Sequence, residues 1–128
     1  MSTFAVEKLH VKGSTPFYKL ITNSICLFDV YMDSLKKAGN RKSEIGGIYS
    51  IIDNVSNYKI GECKTPKKLF ASLKGYGKVI DFEIRKNGIR VYVTVYLDGY
   101  LLFYGGEKQD QTRDIANVRA IKKEFLNL

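Results

Sequence analysis

Residues Val79 to Gly105 read VIDFEIRKNGIRVYVTVYLDGYLLFYG, and the reading of this run decides the fold. Apolar and polar side chains alternate with a period of two, the spacing of strands whose two faces meet different surroundings. Strands are predicted over 79–86, 89–97 and 100–105. Asn87-Gly88 suits the positive φ values of a two-residue hairpin turn, and Asp98-Gly99 repeats the device. Turns that short join only antiparallel neighbours, so the three strands form a meander. In the middle strand Ile89, Val91, Val93 and Val95 point one way, and Arg90, Tyr92, Thr94 and Tyr96 the other. The first set is assigned to the core, the second to a basic and aromatic face open to partners.

Downstream, Ile115, Val118, Ile121 and Phe125 form the apolar stripe of a helix over 111–127, with Asp110 as its N-cap. Lys108 and Arg113 flank the junction between last strand and helix. The N–H groups of a helix start attract anions. Lys108 and Arg113 are therefore expected at one phosphate-binding corner.

Upstream, Ile21, Ile25, Phe28, Met32 and Leu35 are spaced by four and three, which predicts a helix over 17–38 that stops at Gly39. Ile45, Ile48, Ile52 and Val55 predict a second over 42–57, with Gly46 and Gly47 allowing close packing. Gly13 to Pro16 reads as a turn, with Ser14 or Thr15 capping the first helix. A strand is predicted over 4–12. The sum is α+β: a small twisted, mainly antiparallel sheet with helices on one face and the other partly open.

The 128 residues suffice for one domain, taken as 1–128. No apolar run approaches the roughly 18 residues that cross a bilayer, and no signal peptide is expected at the start. Cys26 and Cys63 match no metal or redox spacing and are expected as reduced thiols in a cytoplasmic protein. A single histidine, His10, excludes a His-rich metal site; it reads as a surface or packing residue. The net charge of +8 favours polyanions. It is concentrated: Lys64, Lys67, Lys68, Lys74, Lys78, Arg85, Lys86 and Arg90 stand against Asp81 and Glu83 within residues 64–90.

Several local words, in order, carry a resemblance. They are KKLFASLKGYG at 67–77, EIR at Glu83–Arg85, GIRVY at Gly88–Tyr92, GGEK at Gly105–Lys108, then a glutamine and RDI at Arg113–Ile115. Residues 67–128 resemble the RelE/HigB toxin superfamily, nearest its phage-related addiction-module killer branch. The two preceding helices match in order only. The resemblance implies a RelE-like fold and the toxin of a type II toxin-antitoxin module, silenced by a cognate antitoxin. It implies cleavage of messenger RNA, often on the ribosome. The ribose 2′-OH attacks the adjacent phosphate, with no metal and no cofactor.

By the same resemblance Arg90 is a catalytic arginine on the middle strand, able to fork onto a phosphate; a cross-strand ion pair with Asp81 or Glu83 is the competing reading. Lys108 falls near the family's basic position after the last strand. Arg85 is placed like Arg90, and Glu83 is a candidate general base. Lys67, Lys68, Lys74 and Lys78 read as cations tracking the RNA backbone, with Arg113 beside them. Tyr92, Tyr96, Tyr104 and Tyr76 offer rings on which bases can stack; packing within the sheet is the competing reading.

The chain also departs from the pattern. Asp81 and Glu83 stand where ribosome-dependent relatives carry lysines. Asp114 stands near the place of a tyrosine those enzymes use, and no general acid is assigned. Two other functions stay open: a non-catalytic RNA- or protein-binding module on the same fold, and an interaction protein whose positive face docks an acidic peptide.

Overall fold

The computed structural model describes residues 2–73 and 81–127. Strand β1 (Phe4–Leu9) pairs antiparallel with β2 (Phe17–Thr22), and β2 turns back into a short β3 (Ile25–Cys26). Two helices follow, α1 (Leu27–Ala38) and α2 (Lys42–Ser56). Then come β4 (Phe70–Leu73), β5 (Asp81–Lys86), β6 (Ile89–Tyr96) and β7 (Gly99–Glu107). A single 3-10 turn (Lys108–Asp110) leads into α3 (Gln111–Phe125). The sheet order is β1-β2-β7-β6-β5-β4, with β3 on β2. β2 and β7 run parallel; the other pairings are antiparallel. The class is α+β with a mixed, open sheet of seven strands.

The helix expected over 17–38 is half strand. Phe17-Tyr18-Lys19-Leu20-Ile21-Thr22 is rich in residues that suit a pleated surface. Asn23 (φ 50°) and Ser24 (φ 67°) then make a turn with both central residues left-handed, as tight hairpins require. Asn23 locks it, its Oδ1 accepting from the Thr3 N–H at 2.9 Å. Ile21 and Ile25 share no helical face; Ile21 pairs with Cys26 and Thr22 with Ile25 across the hairpin. Phe28, Met32 and Leu35 do form the buried stripe of α1, and Gly39 (φ 80°) ends it. Thr15 caps no helix: its N–H and hydroxyl bond to the carbonyls of Ser56 and Tyr58. Gly47 makes room for the stem of Lys86 rather than for a neighbouring helix.

The sheet is covered on both faces. Phe28, Met32, Ile48, Ile52 and Val55 pack with Ile84, Val91, Val93, Tyr100 and Leu102. On the other side Val118, with Ile115, Ile121 and Phe125 of α3, packs with Leu20, Tyr92, Leu101 and Phe103. Each such apolar side chain contributes about 1.5–3 kcal/mol on burial. The expectation of helices on one face, with an open basic and aromatic face opposite, is therefore overturned. The run Tyr100-Leu101-Leu102-Phe103 is apolar on both alternations, which demands cover on both faces.

Two glycines show how tight that cover is. A Cβ on Gly105 would lie 2.6 Å from the Tyr31 ring of α1, and one on Gly106 would meet the Asp114 carboxylate of α3. The β6–β7 turn is Leu97-Asp98, with Leu97 carrying the positive φ (52°). Gly99 serves close packing instead, since its Cβ would strike the Pro16 carbonyl. Among the described residues, no helix is long and apolar enough to cross a membrane.

Candidate functional site

Strand β5 turns Asp81, Glu83 and Arg85 toward α3, opposite Thr94, Tyr92 and Arg90 of β6. Glu83 is 1% exposed, and a carboxylate so deeply placed needs partners. It has three. The Arg85 Nε donates to its Oε1 at 2.6 Å, the Gln111 side-chain amide donates to Oε2, and the Arg90 Nε lies 3.9 Å from Oε1.

This carboxylate sits at the back of a cleft of about 490 Å³. Ser72 and Leu73 of β4 form one wall and Thr112, Ile115, Ala116 and Arg119 of α3 the other. Arg85 reaches outward, with 37% of its side chain exposed, and Arg119 lies exposed on the opposite wall. Gln111 and Thr112 of the first turn of α3 border the cleft, where the positive end of the helix dipole adds to the potential. The arrangement is a buried carboxylate behind two reachable guanidiniums: an acceptor for a proton beside a seat for an anion.

At the corner expected from Lys108 and Arg113, the arginine is engaged by carboxylates of its own helix start. Gln111 faces Glu83, and Arg113, two residues further on, is turned by about 200° around the helix. It pairs with Asp110 at 3.5 Å and Asp114 at 3.6 Å on the far flank. Asp110 holds the N-cap position without a side-chain capping bond. Lys108 is exposed, and its N–H ties the 3-10 turn to the Gly88 carbonyl at 2.7 Å. Arg90 keeps only 12% of its side chain exposed; its Nη1 donates to the Ile89 carbonyl, so it backs Glu83 instead of projecting to solvent. The competing reading of a cross-strand pair to Glu83 fits that geometry.

The other candidates separate likewise. Lys67 and Lys68 are exposed in the segment before β4. Lys74, Lys78 and Tyr76 lie outside the described residues, as do 79 and 80 of the first predicted strand. Tyr92 is buried under α3, and burial pushes its hydroxyl well above the usual tyrosine range. Tyr96 packs edge-on to Tyr18 and against Phe125. The Tyr104 ring meets Tyr92, and its hydroxyl donates to the Asp114 carbonyl. Tyr92 is a packing element, while Tyr96 and Tyr104 pack along one side and stay partly exposed. His10 is exposed. Asp81 forms a buried ion pair with Lys122 at 2.6 Å.

Arg119 went unmarked by motif, and Gln111 was given no role. The signal was there in the spacing: Gln111, Ile115 and Arg119 recur every four residues and so share one face of α3. The chain matches no protein-family model, no curated protein and no solved structure.

Proposed function

We propose that this protein is an RNA endoribonuclease, the toxin of a type II toxin-antitoxin module on a RelE-like fold. It acts in the cytoplasm on messenger RNA, on the ribosome or free, and a cognate antitoxin restrains it. The observation that carries the proposal is Glu83, 1% exposed at the back of a cleft rimmed by Arg85 and Arg119. In this reading the scissile phosphate sits between the two guanidiniums. Glu83 takes the proton of the 2′-OH as its oxygen bonds to phosphorus. The P–O5′ bond breaks, leaving a 2′,3′-cyclic phosphate, and the 5′ oxygen takes a proton from water. Arg85 and Arg119 offset the charge that builds on the phosphoryl oxygens. Arg90 stands behind Glu83, its Nε 3.9 Å from Oε1. No cofactor or metal enters this route.

One observation favours a second reading, a module that binds RNA without cutting it. Both Glu83 oxygens are already engaged, by Arg85 and by Gln111.

Growth under regulated expression, together with cleavage of a labelled RNA, separates the two. Cleavage that leaves cyclic phosphate ends and spares a 2′-deoxy substrate supports the nuclease. Glu83→Gln should then lower the rate by about 10²–10⁴-fold, with the fold kept by circular dichroism. Intact RNA, unaffected growth and salt-sensitive RNA binding would establish the second reading instead.

A further inference from the structure

Three segments meet at one end of the molecule: residues 36–44 around the α1–α2 loop, 86–88 at the tip of the β5–β6 hairpin, and 107–108 where β7 enters the 3-10 turn. Contacts tie them together. The stem of Lys86 lies over Gly47 of α2. The Lys108 N–H donates to the Gly88 carbonyl at 2.7 Å, and the Arg41 Nη1 lies 3.2 Å from the Glu107 Oε1. The three segments hold Lys36, Lys37, Arg41, Lys42, Lys86 and Lys108, against Glu44 and Glu107 alone. Arg41 engages both of those carboxylates. Among the described residues, no carboxylate pairs with any of the five lysines. Lys36, Lys37, Lys42 and Lys108 are exposed.

The fold accounts for only some of these cations. Lys36 and Lys37 suit the last turn of α1, where the helix dipole favours positive charge. Lys42 opens α2, where the dipole favours a carboxylate instead. No aromatic residue occurs in the three segments. Single strands are held largely by rings on which their bases stack. A surface of lysines without rings reads phosphate alone.

We propose that this lysine-rich end is a docking surface for double-stranded RNA, gripped by its phosphates. A duplex keeps its bases inside, and its recognition rests on shape and backbone contacts. The 3-10 turn runs from Lys108 straight into Gln111 of the Glu83 cleft, so a single strand leaving the duplex has Glu83 within reach. The choice of RNA over DNA rests on the reading of that cleft. The docking itself needs neither Glu83 nor cleavage.

The test titrates a labelled, blunt RNA duplex with the full chain and reads anisotropy over a range of KCl concentrations. Saturable binding is expected. Lys36→Gln combined with Lys42→Gln should lower affinity at least tenfold at low salt. It should also flatten the slope of log affinity against log salt by about 0.9 per lysine. Lys12→Gln combined with Lys59→Gln, at the other end of α2, should change affinity less than twofold. Lys42→Glu should weaken binding while raising the melting temperature, because a carboxylate suits a helix start. That opposition separates docking from folding. No saturable binding, equal loss in both lysine pairs, tighter binding of a DNA duplex of the same sequence, or unchanged affinity in Lys42→Glu would overturn the proposal. Duplex binding by a wild type that cuts no RNA would support docking and overturn the nuclease reading alone.

Discussion

Asp114 shows how one side chain can be misjudged from its neighbours in sequence. It sits in the first turn of α3, where a carboxylate normally gains from the helix dipole. Here it is 4% exposed, and its Oδ2, pressed against Gly106, has no hydrogen-bond donor. Burial raises its pKa, and Arg113 opposes that only partly. A carboxyl whose pKa rises on folding holds its proton more tightly in the native state. Stability then falls as pH climbs from the ordinary value of 3.8 through the raised native one, and above that the cost is fully present. Asp114→Asn should therefore melt higher than the wild type at pH 7, with the gap closing toward pH 3. Thermal melts across that range check it; a variant no more stable at pH 7 would mean that Arg113 fully offsets the burial. Glu83 is the opposite lesson. Its motif marked it as a base candidate, and the structure puts it behind a cleft, but its depth came only from knowing that α3 lies over it.

At the scale of elements, the meander and both later helices were legible because their periods are unbroken. Asn87-Gly88 named its own turn, and Ile48, Ile52 and Val55 named the face of α2. The failure over 17–38 has a physical cause. Strand, two-residue turn and strand placed Ile21 and Ile25 four apart, mimicking a helical step. Asn23-Ser24 does not advertise a left-handed turn as Asn-Gly does. The position of α3 was missed for another reason: what covers a sheet's second face is a tertiary fact. That docking is fixed partly by the buried pair of Lys122 and Asp81, with 6% and 7% of their side chains exposed. Removing one member leaves a charge stranded. Lys122→Met should cost about 3–5 kcal/mol, and adding Asp81→Leu should recover most of it. Urea midpoints of the single and double variants measure this; equal loss in both would make the pair a bystander.

For the whole molecule, charge was the most readable property and the least informative about place. A surplus of +8 predicted an anionic partner but not which cations gather. The structure engages Arg113 with Asp110 and Asp114 and brings Arg85 and Arg119 to one cleft. If RNA phosphate sits there, Arg119→Gln should flatten the plot of log affinity against log salt by about 0.7. Anisotropy titrations of single-stranded RNA over a range of KCl concentrations would read the slope, and an unchanged slope would remove Arg119 from the contact. The parallel seam between β2 and β7 has a separate consequence, for synthesis. Phe17 leaves the ribosome early and Tyr100 late, yet they are neighbours in the finished sheet. The amino-terminal ribbon must wait, its inner edge bare, until most of the polypeptide has emerged. Pairing so distant along the chain is slow to nucleate. A nascent chain in that interval is open to sticking and to chaperone capture.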